Sequence, residues 1–382
     1  MGGLSLVGCG TMLAVPPSMT SETKPATSNS HAVWSHMMTL DDGWGTRMQN
    51  THGQMPIIVR TTNGAHTWQP AAPAGMHPAL VDFFSPAMAW AAITSRHRGY
   101  HVQIERTLNG GDGWRQTDKL TIPINLSASS LQFINRQDGF LLFSGSASYP
   151  PVYQAAALYA TTDGGQHWSA MSRTANHTMP RTGIKMSMSF VTPSLGWMIA
   201  TGPLGGAGKE FLWTTTNGGR MWTFTVLPAP PGYTIHNLID IGTPQRLSAS
   251  QIVFPSIWRR TQAAQSLVAT EHWSAAHPTW QTTVGTGTAA LRTPIQTSEL
   301  TPGIIAWSFL TPQRGWMVIG STIYRTTTGG HAWTAIGTVS GITSPDSIHF
   351  VTPHTGWLLG TCHSPHLVVE RTTNGGRTWS PS

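Results

Sequence analysis

The carboxyl groups that could catalyse hydrolysis are scarce in this sequence. Its 382 residues include 15 Asp and Glu, against 22 Lys and Arg. Cleaving a glycosidic bond requires two positioned carboxyl groups, one of them with a raised pKa. Three glutamates fall on expected strands at equivalent places just ahead of turns, which favours a structural role: Glu105, Glu210 and Glu370. Three aspartates belong to turns: Asp42, Asp138 and Asp163. We therefore predict no catalytic residue.

Thiol and imidazole groups that could bind a metal occur in two short clusters. Residues 362–366 read Cys-His-Ser-Pro-His, and His97 and His101 form a second close pair. A zinc site usually draws further ligands from elsewhere in the chain at a defined spacing, and no such spacing is evident among the 17 histidines. The phosphate-binding Gly-x-x-x-x-Gly-Lys-Ser/Thr loop and the Gly-x-Ser-x-Gly nucleophile motif are both absent. The sequence predicts neither a metal nor a cofactor.

Basic and aromatic residues occur together in the long, irregular segments between the expected strands. Such side chains can bind anionic glycans, phosphate groups or acidic patches on proteins. The residues predicted to bind a ligand are Arg96, Arg98, Tyr100, Tyr153, Arg181, Lys209, Arg259 and Arg260. The formal charge of +7 agrees with an anionic partner, although a basic surface suited to an acidic medium is the alternative. Lys and Arg are scattered and form no run longer than two, which argues against nucleic acid.

These residues must be positioned by a repeated element that ends in tryptophan, here called the repeat turn. Its complete form, Thr-x-Asn-Gly-Gly-x-x-Trp, occupies residues 372–379. The seven copies end at Trp68, Trp114, Trp168, Trp222, Trp280, Trp333 and Trp379. Their spacing of 46 to 58 residues is typical of a four-stranded propeller blade. The fifth copy is eroded, and only Thr270 and the Pro-Thr-Trp end survive. We predict an all-β, seven-bladed β-propeller of four-stranded antiparallel blades over residues 32–382.

A second motif precedes the repeat turn and marks the first two strands of each blade. It reads Phe-Val-Thr-Pro-x-x-Gly-Trp at 190–197 and 350–357, and Phe-Leu-Thr-Pro-x-x-Gly-Trp at 309–316. A strand, a tight turn and a second strand opening on Gly-Trp fit this pattern. A third strand then leads into the repeat turn, and a fourth strand follows it.

Each residue type in the repeat turn has a mechanical reason to be there. Asn or Asp closes the turn with a side-chain hydrogen bond, Gly supplies a positive φ, and Thr bonds nearby backbone groups. The tryptophan is expected to pack between neighbouring blades, burying ~150–250 Å². The residues predicted to be structural in this way are Asn63, Trp68, Asn109, Trp114, Asp163, Trp168, Asn217, Trp222, Trp333, Asn374 and Trp379.

The expected blade topology divides the connections between two faces. Turns joining strands one and two, and strands three and four, share what we call the repeat face. Loops joining strands two and three, and joining successive blades, share the opposite face, which carries the long irregular loops. Function tends to lie on loops that a rigid scaffold carries. We therefore expect the ligand to bind on the opposite face.

The repeat turn resembles the Asp-box, or bacterial neuraminidase repeat, through Thr372, Asn374, Gly376, Thr378 and Trp379. Together with the Gly-Trp motif, the unit is similar to propellers of the photosystem II assembly/stability factor-like family over about residues 32–382. That resemblance implies an exported, non-catalytic scaffold that binds or assembles partners at the cell envelope. Asp-box propellers also include sialidases and xyloglucan-type glycosidases, so the alternative is a carbohydrate-active hydrolase with an unrecognised carboxylate pair.

The first thirty-one residues resemble an export segment followed by a tether. Leu6-Val7-Gly8-Cys9 is similar to the lipobox of bacterial lipoproteins, in which the cysteine is acylated, and residues 10–31 are rich in Pro, Ser and Thr. No positively charged segment precedes Leu4, so either residues 1–9 are only part of a signal peptide that starts further upstream, or Cys9 is an ordinary cysteine. We favour the first interpretation, in which Cys9 is a lipidation site. We predict membrane contact only through such an anchor. The partner is expected to be an unidentified protein or anionic glycan, bound by a monomer.

Overall fold

The computed structural model describes residues 32–49, 55–95, 101–122, 125–148, 153–202, 209–260, 265–285, 292–294, 305–361 and 367–382. The described residues form seven antiparallel sheets. Two short 3₁₀ helices, Thr174–Asn176 and Ile235–Asn237, lie in connections between blades. No helix in these residues has the length and hydropathy needed to cross a membrane. The architecture confirms the all-β, seven-bladed propeller.

Blades 1 to 4 are each built from four consecutive strands. Blade 1 contains β1 (Ala32–Met37), β2 (Gly43–Gln49), β3 (Met55–Thr61) and β4 (Gln69–Pro70). Blade 2 contains β5 (Leu80–Ser85), β6 (Met88–Ser95), β7 (His101–Thr107) and β8 (Trp114–Thr121). Blade 3 contains β9 (Leu126–Phe133), β10 (Gly139–Ser148), β11 (Tyr153–Thr161) and β12 (Ser169–Arg173). Blade 4 contains β13 (Ile184–Phe190), β14 (Gly196–Gly202), β15 (Lys209–Thr215) and β16 (Thr223–Thr225).

Blade 5 departs from this plan, whereas blades 6 and 7 follow it. Blade 5 contains β17 (Leu238–Ile241), β18 (Gln245–Ser248), β19 (Gln251–Trp258), β20 (Gln265–Ser274), β21 (His277–Thr283) and β22 (Arg292–Pro294). Blade 6 contains β23 (Ile305–Phe309), β24 (Gly315–Ile319), β25 (Thr322–Thr326) and β26 (Thr334–Thr338). Blade 7 contains β27 (Ser344–Phe350), β28 (Gly356–Thr361), β29 (Leu367–Thr372) and β30 (Ser380–Pro381). In blade 5 the innermost strand is split into β17 and β18, which both pair with β19.

Polar side chains on the inner strands bind several blades to the next one. The Asp82 carboxylate accepts a hydrogen bond of 2.5 Å from the backbone N–H of Phe133. The Gln132 carboxamide bonds both the N–H and the carbonyl of Phe190, and Gln245 does the same with Phe309. These bonds satisfy backbone groups at the end of an inner strand, where no neighbouring strand of the same blade could reach.

Aromatic stacking fills the space between blades. The Trp90 ring of blade 2 stacks on Phe133 of blade 3 at 3.8 Å between centroids, and Trp316 of blade 6 stacks on Phe350 of blade 7 at 3.7 Å. The tryptophan that ends the repeat turn packs edge-on against the phenylalanine of this stack. Trp379, for example, packs in this way against Phe350. The Gly-Trp tryptophan is therefore the fully buried ring between blades. Most repeat-turn tryptophans are only half-buried.

Among the described strands, the ring closes between blades 7 and 1 without an exchange of strands. The Trp357 indole N–H donates to the carbonyl of Gly64 at 3.3 Å, and the Ser382 hydroxyl donates to the same oxygen at 3.2 Å. The rings of His36 and His349 lie 4.2 Å apart between centroids at this junction. Burial lowers the pKa of His36 to about 4 and that of His349 to about 3, so this junction packs two neutral imidazoles.

Candidate binding site

The residues predicted to bind a ligand are only partly within the described chain. Arg96, Arg98 and Tyr100 lie outside it, as do Cys9 and residues 362–366. Lys209 begins β15, but its side chain is also outside the described part. The structure therefore places four of the eight predicted side chains: Tyr153, Arg181, Arg259 and Arg260.

Tyr153 and Arg181 come together on the opposite face, where blade 3 leads into blade 4. Tyr153 forms an isolated bridge with Thr182, which brings the start of β11 against the connection that follows β12. The Arg181 guanidinium carbon lies 5.9 Å from the centroid of the Tyr153 ring, close enough for a cation–π contact. Tyr153 is 45% exposed, and Arg181 is also exposed. The pair presents one cation and one phenol to solvent.

Arg260 forms a similar pair at the junction of blades 4 and 5. Its guanidinium carbon lies 4.8 Å from the centroid of the Tyr233 ring, and its Nε donates to the carbonyl of Gly232 at 3.0 Å. Arg259 pins the same connection through its backbone, because its N–H donates to Asn237 and its carbonyl accepts from the Asn237 amide. A basic and an aromatic side chain thus meet at this junction too, whereas the contacts of Arg259 described here are made by its backbone.

Lys185 shows why a loop lysine cannot be counted as a ligand from sequence alone. Only 3% of the residue is exposed, and its Nζ donates to the carbonyls of Arg181, Thr182 and Gly183 at 3.1, 3.2 and 2.9 Å. Burial lowers the pKa of Lys185 to about 8. Its ammonium group therefore braces the segment that presents Arg181.

The repeat turns share one hydrogen-bonding scheme on the repeat face. In blade 3, the Thr161 hydroxyl accepts from the N–H of Gly165 at 3.0 Å and donates to Asp163 at 2.8 Å. The Asp163 carboxylate accepts a hydrogen bond of 3.0 Å from the N–H of His167. In four other turns an asparagine oxygen accepts from the N–H four residues later: Asn63, Asn109, Asn217 and Asn374. In blade 6 the Thr328 hydroxyl replaces the amide and accepts from Ala332 at 3.0 Å.

Blade 5 keeps the length of the repeat turn but loses its conformation. Trp273 precedes Trp280 by seven residues, the same separation as between Thr161 and Trp168. Ala275 and Ala276 form a tight hairpin that pairs Ser274 with His277, and no positive φ occurs in the described residues of this blade. The two positive-φ positions of the repeat turn fall on Ala276 and His277 here, whereas the other copies have two glycines or, in blade 1, Gly64 and Ala65. Residues with a Cβ disfavour that conformation.

The structure corrects the sequence alignment of this eroded copy. Thr270 was expected to be the surviving first threonine, but the structure places Trp273 there. His272 bonds the Gly329 carbonyl at 2.7 Å, just as Arg106 of blade 2 bonds the Gly164 carbonyl of blade 3 at 3.2 Å. His272 therefore matches the arginine that precedes the first threonine, and Thr270 is a buried strand residue with an unbonded hydroxyl.

Two cavities flank the altered hairpin on the repeat face. The cavity between blades 4 and 5, about 870 Å³, is walled by Trp197, Trp273 and Trp280 together with several threonines, and none of its described lining residues is charged. The cavity between blades 5 and 6, about 390 Å³, is lined by histidine, glutamine and hydroxyl side chains. Sequence reasoning missed both cavities, although the alanines in the eroded copy were a usable signal.

Asp82 and Glu271 are two described acids whose pKa is raised because they are packed within and between blades. Burial raises the pKa of Glu271 to about 7, and its hydrogen bonds with Ser256 and Thr282 only partly oppose that effect. Burial likewise raises the pKa of Asp82 to about 7, against one backbone hydrogen bond from Phe133. Burial is the largest cause of both shifts, and no neighbouring carboxylate contributes to either. Both acids lie within blade packing.

Comparison with known proteins agrees with the propeller architecture. No protein-family model matches the sequence. No curated protein matches it either. Among solved structures, YCF48 bound to a D1 peptide is similar with a TM-score of 0.54 and 16% identity, covering 91% of this chain and 95% of that one. The β-propeller domain of the Trilobed protease from Pyrococcus furiosus, described as having an open velcro topology, has a TM-score of 0.52 and 7% identity, covering 93% and 98%.

A third similar structure is a puromycin-hydrolysing peptidase of Mycobacterium tuberculosis. The TM-score is 0.54 at 10% identity, and the match covers 92% of this chain but 53% of the peptidase. At these identities the likeness concerns the fold alone. The three structures agree on a β-propeller for this chain and leave its activity to be argued from its own residues.

Proposed function

We propose that this protein is a non-catalytic, exported propeller of the Asp-box type that binds an acidic protein segment at the cell envelope. The observation that carries the proposal is the pair of Arg–Tyr clusters, Arg181 with Tyr153 and Arg260 with Tyr233, on neighbouring connections of the opposite face. A guanidinium held over a phenol ring keeps donors available for a carboxylate, and the ring contributes apolar contact area.

Three further features support a binding role. Two of the acids whose pKa is raised by burial, Asp82 and Glu271, make hydrogen bonds that belong to the packing of the blades. The structure of YCF48, which shares the fold, contains a bound peptide. Export and a lipid anchor at Cys9 rest on the lipobox-like segment, which would hold the binding face near the membrane.

The proposal is tested by reversing charge on one face at a time. A fluorescent peptide rich in Asp and Glu serves as the probe, and its anisotropy is measured with the whole chain. The double variant Arg181→Glu, Arg260→Glu should lower affinity by at least about tenfold, or about 1.4 kcal/mol. The control is Arg220→Glu, Arg377→Glu, which makes the same change in net charge at exposed positions of the repeat face.

Three outcomes would count against the proposal. Equal loss in both double variants would mean that net charge alone attracts the peptide. Stronger competition by an anionic polysaccharide such as polygalacturonate than by an unlabelled acidic peptide would move the partner to glycans. Release of reducing sugar from sialosides or xyloglucan would indicate a hydrolase. Mass spectrometry of protein expressed with its natural upstream sequence tests lipidation, and an unmodified Cys9 would remove the anchor.

A further inference from the structure

The cavity between blades 5 and 6 collects neutral hydrogen-bonding side chains. Three imidazoles line it, from His272, His277 and His331, and three carboxamides join them, from Gln251, Gln281 and Gln313. The remaining lining residues include Ser and Thr hydroxyls. The described lining comes from β19, β20, β21 and two turns of blade 6, and it includes no acid, lysine or arginine. The three imidazoles are therefore the titratable groups in this described cavity.

The same place between ordinary blades is built differently. Between blades 1 and 2 the groove is lined by Arg60 and Asp112, which occupy the positions of His272 and His331. Arg60 is already engaged, since its Nη2 lies 2.9 Å from Asp42 and its Nη1 donates to the carbonyl of Gly110. The groove between blades 1 and 2 thus contains both an acid and a cation with a partner. In blade 5, by contrast, His272 stands in place of the arginine. His277 stands where most copies of the repeat turn have their second glycine.

The histidines differ in how freely they can gain a proton. Burial lowers the pKa of His272, and the nearby His331 lowers it further, although the bond to Gly329 opposes both effects. His272 therefore remains a neutral donor to the Gly329 carbonyl at 2.7 Å. His277 and His331 are exposed at the rim. An imidazole that gains a proton becomes a cation with two N–H donors, and the described lining of this cavity contains no acid that would offset the added charge.

We infer that this cavity is a binding site for a small ligand that bears a carboxylate, phosphate or sulfate group, and that acidification strengthens binding. His277 and His331 supply charged N–H donors, and the glutamine amides and hydroxyls supply neutral ones. At about 390 Å³ the cavity holds a small molecule rather than a folded partner. The site lies on the repeat face and is independent of the Arg–Tyr clusters.

The test uses inorganic sulfate, because its charge is constant over the relevant pH range. Sulfate is titrated into the whole chain at about pH 5.5 and at about pH 7.5, and the imidazole C–H resonances of His277 and His331 report occupancy by NMR. We expect binding at least about tenfold tighter at the lower pH, a difference of about 1.4 kcal/mol. The double variant His277→Gln, His331→Gln should lose that gain.

The matched control is His66→Gln, because His66 holds the place of His331 in the ordinary repeat turn of blade 1 and is also exposed. This control should keep the full pH response, and so should Arg181→Glu, Arg260→Glu on the opposite face. Equal affinity at both pH values would overturn the inference. So would retention of the response in the histidine double variant, whose fold is checked by tryptophan fluorescence. Failure here would leave acidic-peptide binding by the Arg–Tyr clusters untouched.

Discussion

Replacing Glu271 by Gln should remove a large part of the pH dependence of stability. Glu271 is fully buried on β20, and its Oε1 accepts a hydrogen bond of 2.6 Å from Ser256. The Thr282 hydroxyl lies 2.6 Å from Glu271 Oε2 and 2.6 Å from the carbonyl of Pro228. That hydroxyl has one hydrogen, and the Pro228 carbonyl has none to offer. Both contacts are hydrogen bonds only when Oε2 carries a proton and donates it to Thr282.

The magnitude follows from the two protonation states. Burial raises the pKa of Glu271 from its ordinary 4.5 to about 7. Between these values the unfolded chain has lost the proton that the folded chain keeps, so the folded state becomes less stable as pH rises. The contribution of protonated Glu271 to the free energy of unfolding is therefore complete below pH 4.5 and is lost as the pH rises through about 7. The full difference is about 3 kcal/mol.

The assay is urea unfolding followed by tryptophan fluorescence at a series of pH values from about 4.5 to 8. Glutamine keeps the neutral arrangement, because its amide can donate to Thr282 while its oxygen accepts from Ser256. The stability of Glu271→Gln relative to the original chain should therefore increase by about 3 kcal/mol across this range. Asp82 is unchanged in both proteins, so its own pH dependence cancels in the comparison.

Two further variants separate protonation from packing. Thr282→Ser keeps the bridging hydroxyl and should retain the pH dependence. Thr282→Val removes it and should destabilise the fold by about 1–3 kcal/mol, because the Pro228 carbonyl and the carboxyl group lose a partner. Parallel stability curves for Glu271→Gln and the original chain would refute the reasoning, since they would mean that Glu271 is already ionised in the folded protein.

The remaining predictions concern the repeat. Trp90→Phe should keep the stack but lose the indole bond of 3.0 Å to Gly164, costing about 1–3 kcal/mol in urea unfolding; an unchanged midpoint would show that stacking alone matters. Asp163→Ala should cost about 1–2 kcal/mol at neutral pH, and Asp163→Asn much less, since asparagine occupies four sister turns. Gly111→Ala should destabilise the blade 1–2 junction, because φ is +96° and a Cβ would lie 2.4 Å from the Ala71 carbonyl; equal thermal stability would contradict this.

Acidification should weaken the contribution of Asp163 to stability, whereas it strengthens the contribution of Glu271. Slight burial favours a higher pKa for Asp163, but hydrogen bonds from His167, Thr161 and Gln166 outweigh it and lower the pKa to about 2. The stabilisation from this exposed turn is therefore present above pH 3.8 and lost as pH falls towards about 2.

The sequence alone determined blade number and strand order in this protein. Local rules suffice there: Gly-Gly at 375–376 adopts positive φ, Thr372 and Asn374 close the turn around it, and the repeat recurs at blade length. Turn chemistry of this kind involves residues close in the chain, so it can be read without knowing the fold. The sequence also shows that basic and aromatic residues occur together in the loops expected on the opposite face.

Only the tertiary structure decided which of those groups are available to a ligand. Lys185 and Arg181 are both basic and four residues apart, yet one is sealed by three carbonyls and the other is exposed. The neutral Glu271 and the histidine-lined cavity of blade 5 depend on partners 11 to 57 residues away. Burial and long-range hydrogen bonds set the charge and access of a side chain, and these follow from how the blades pack rather than from local spacing.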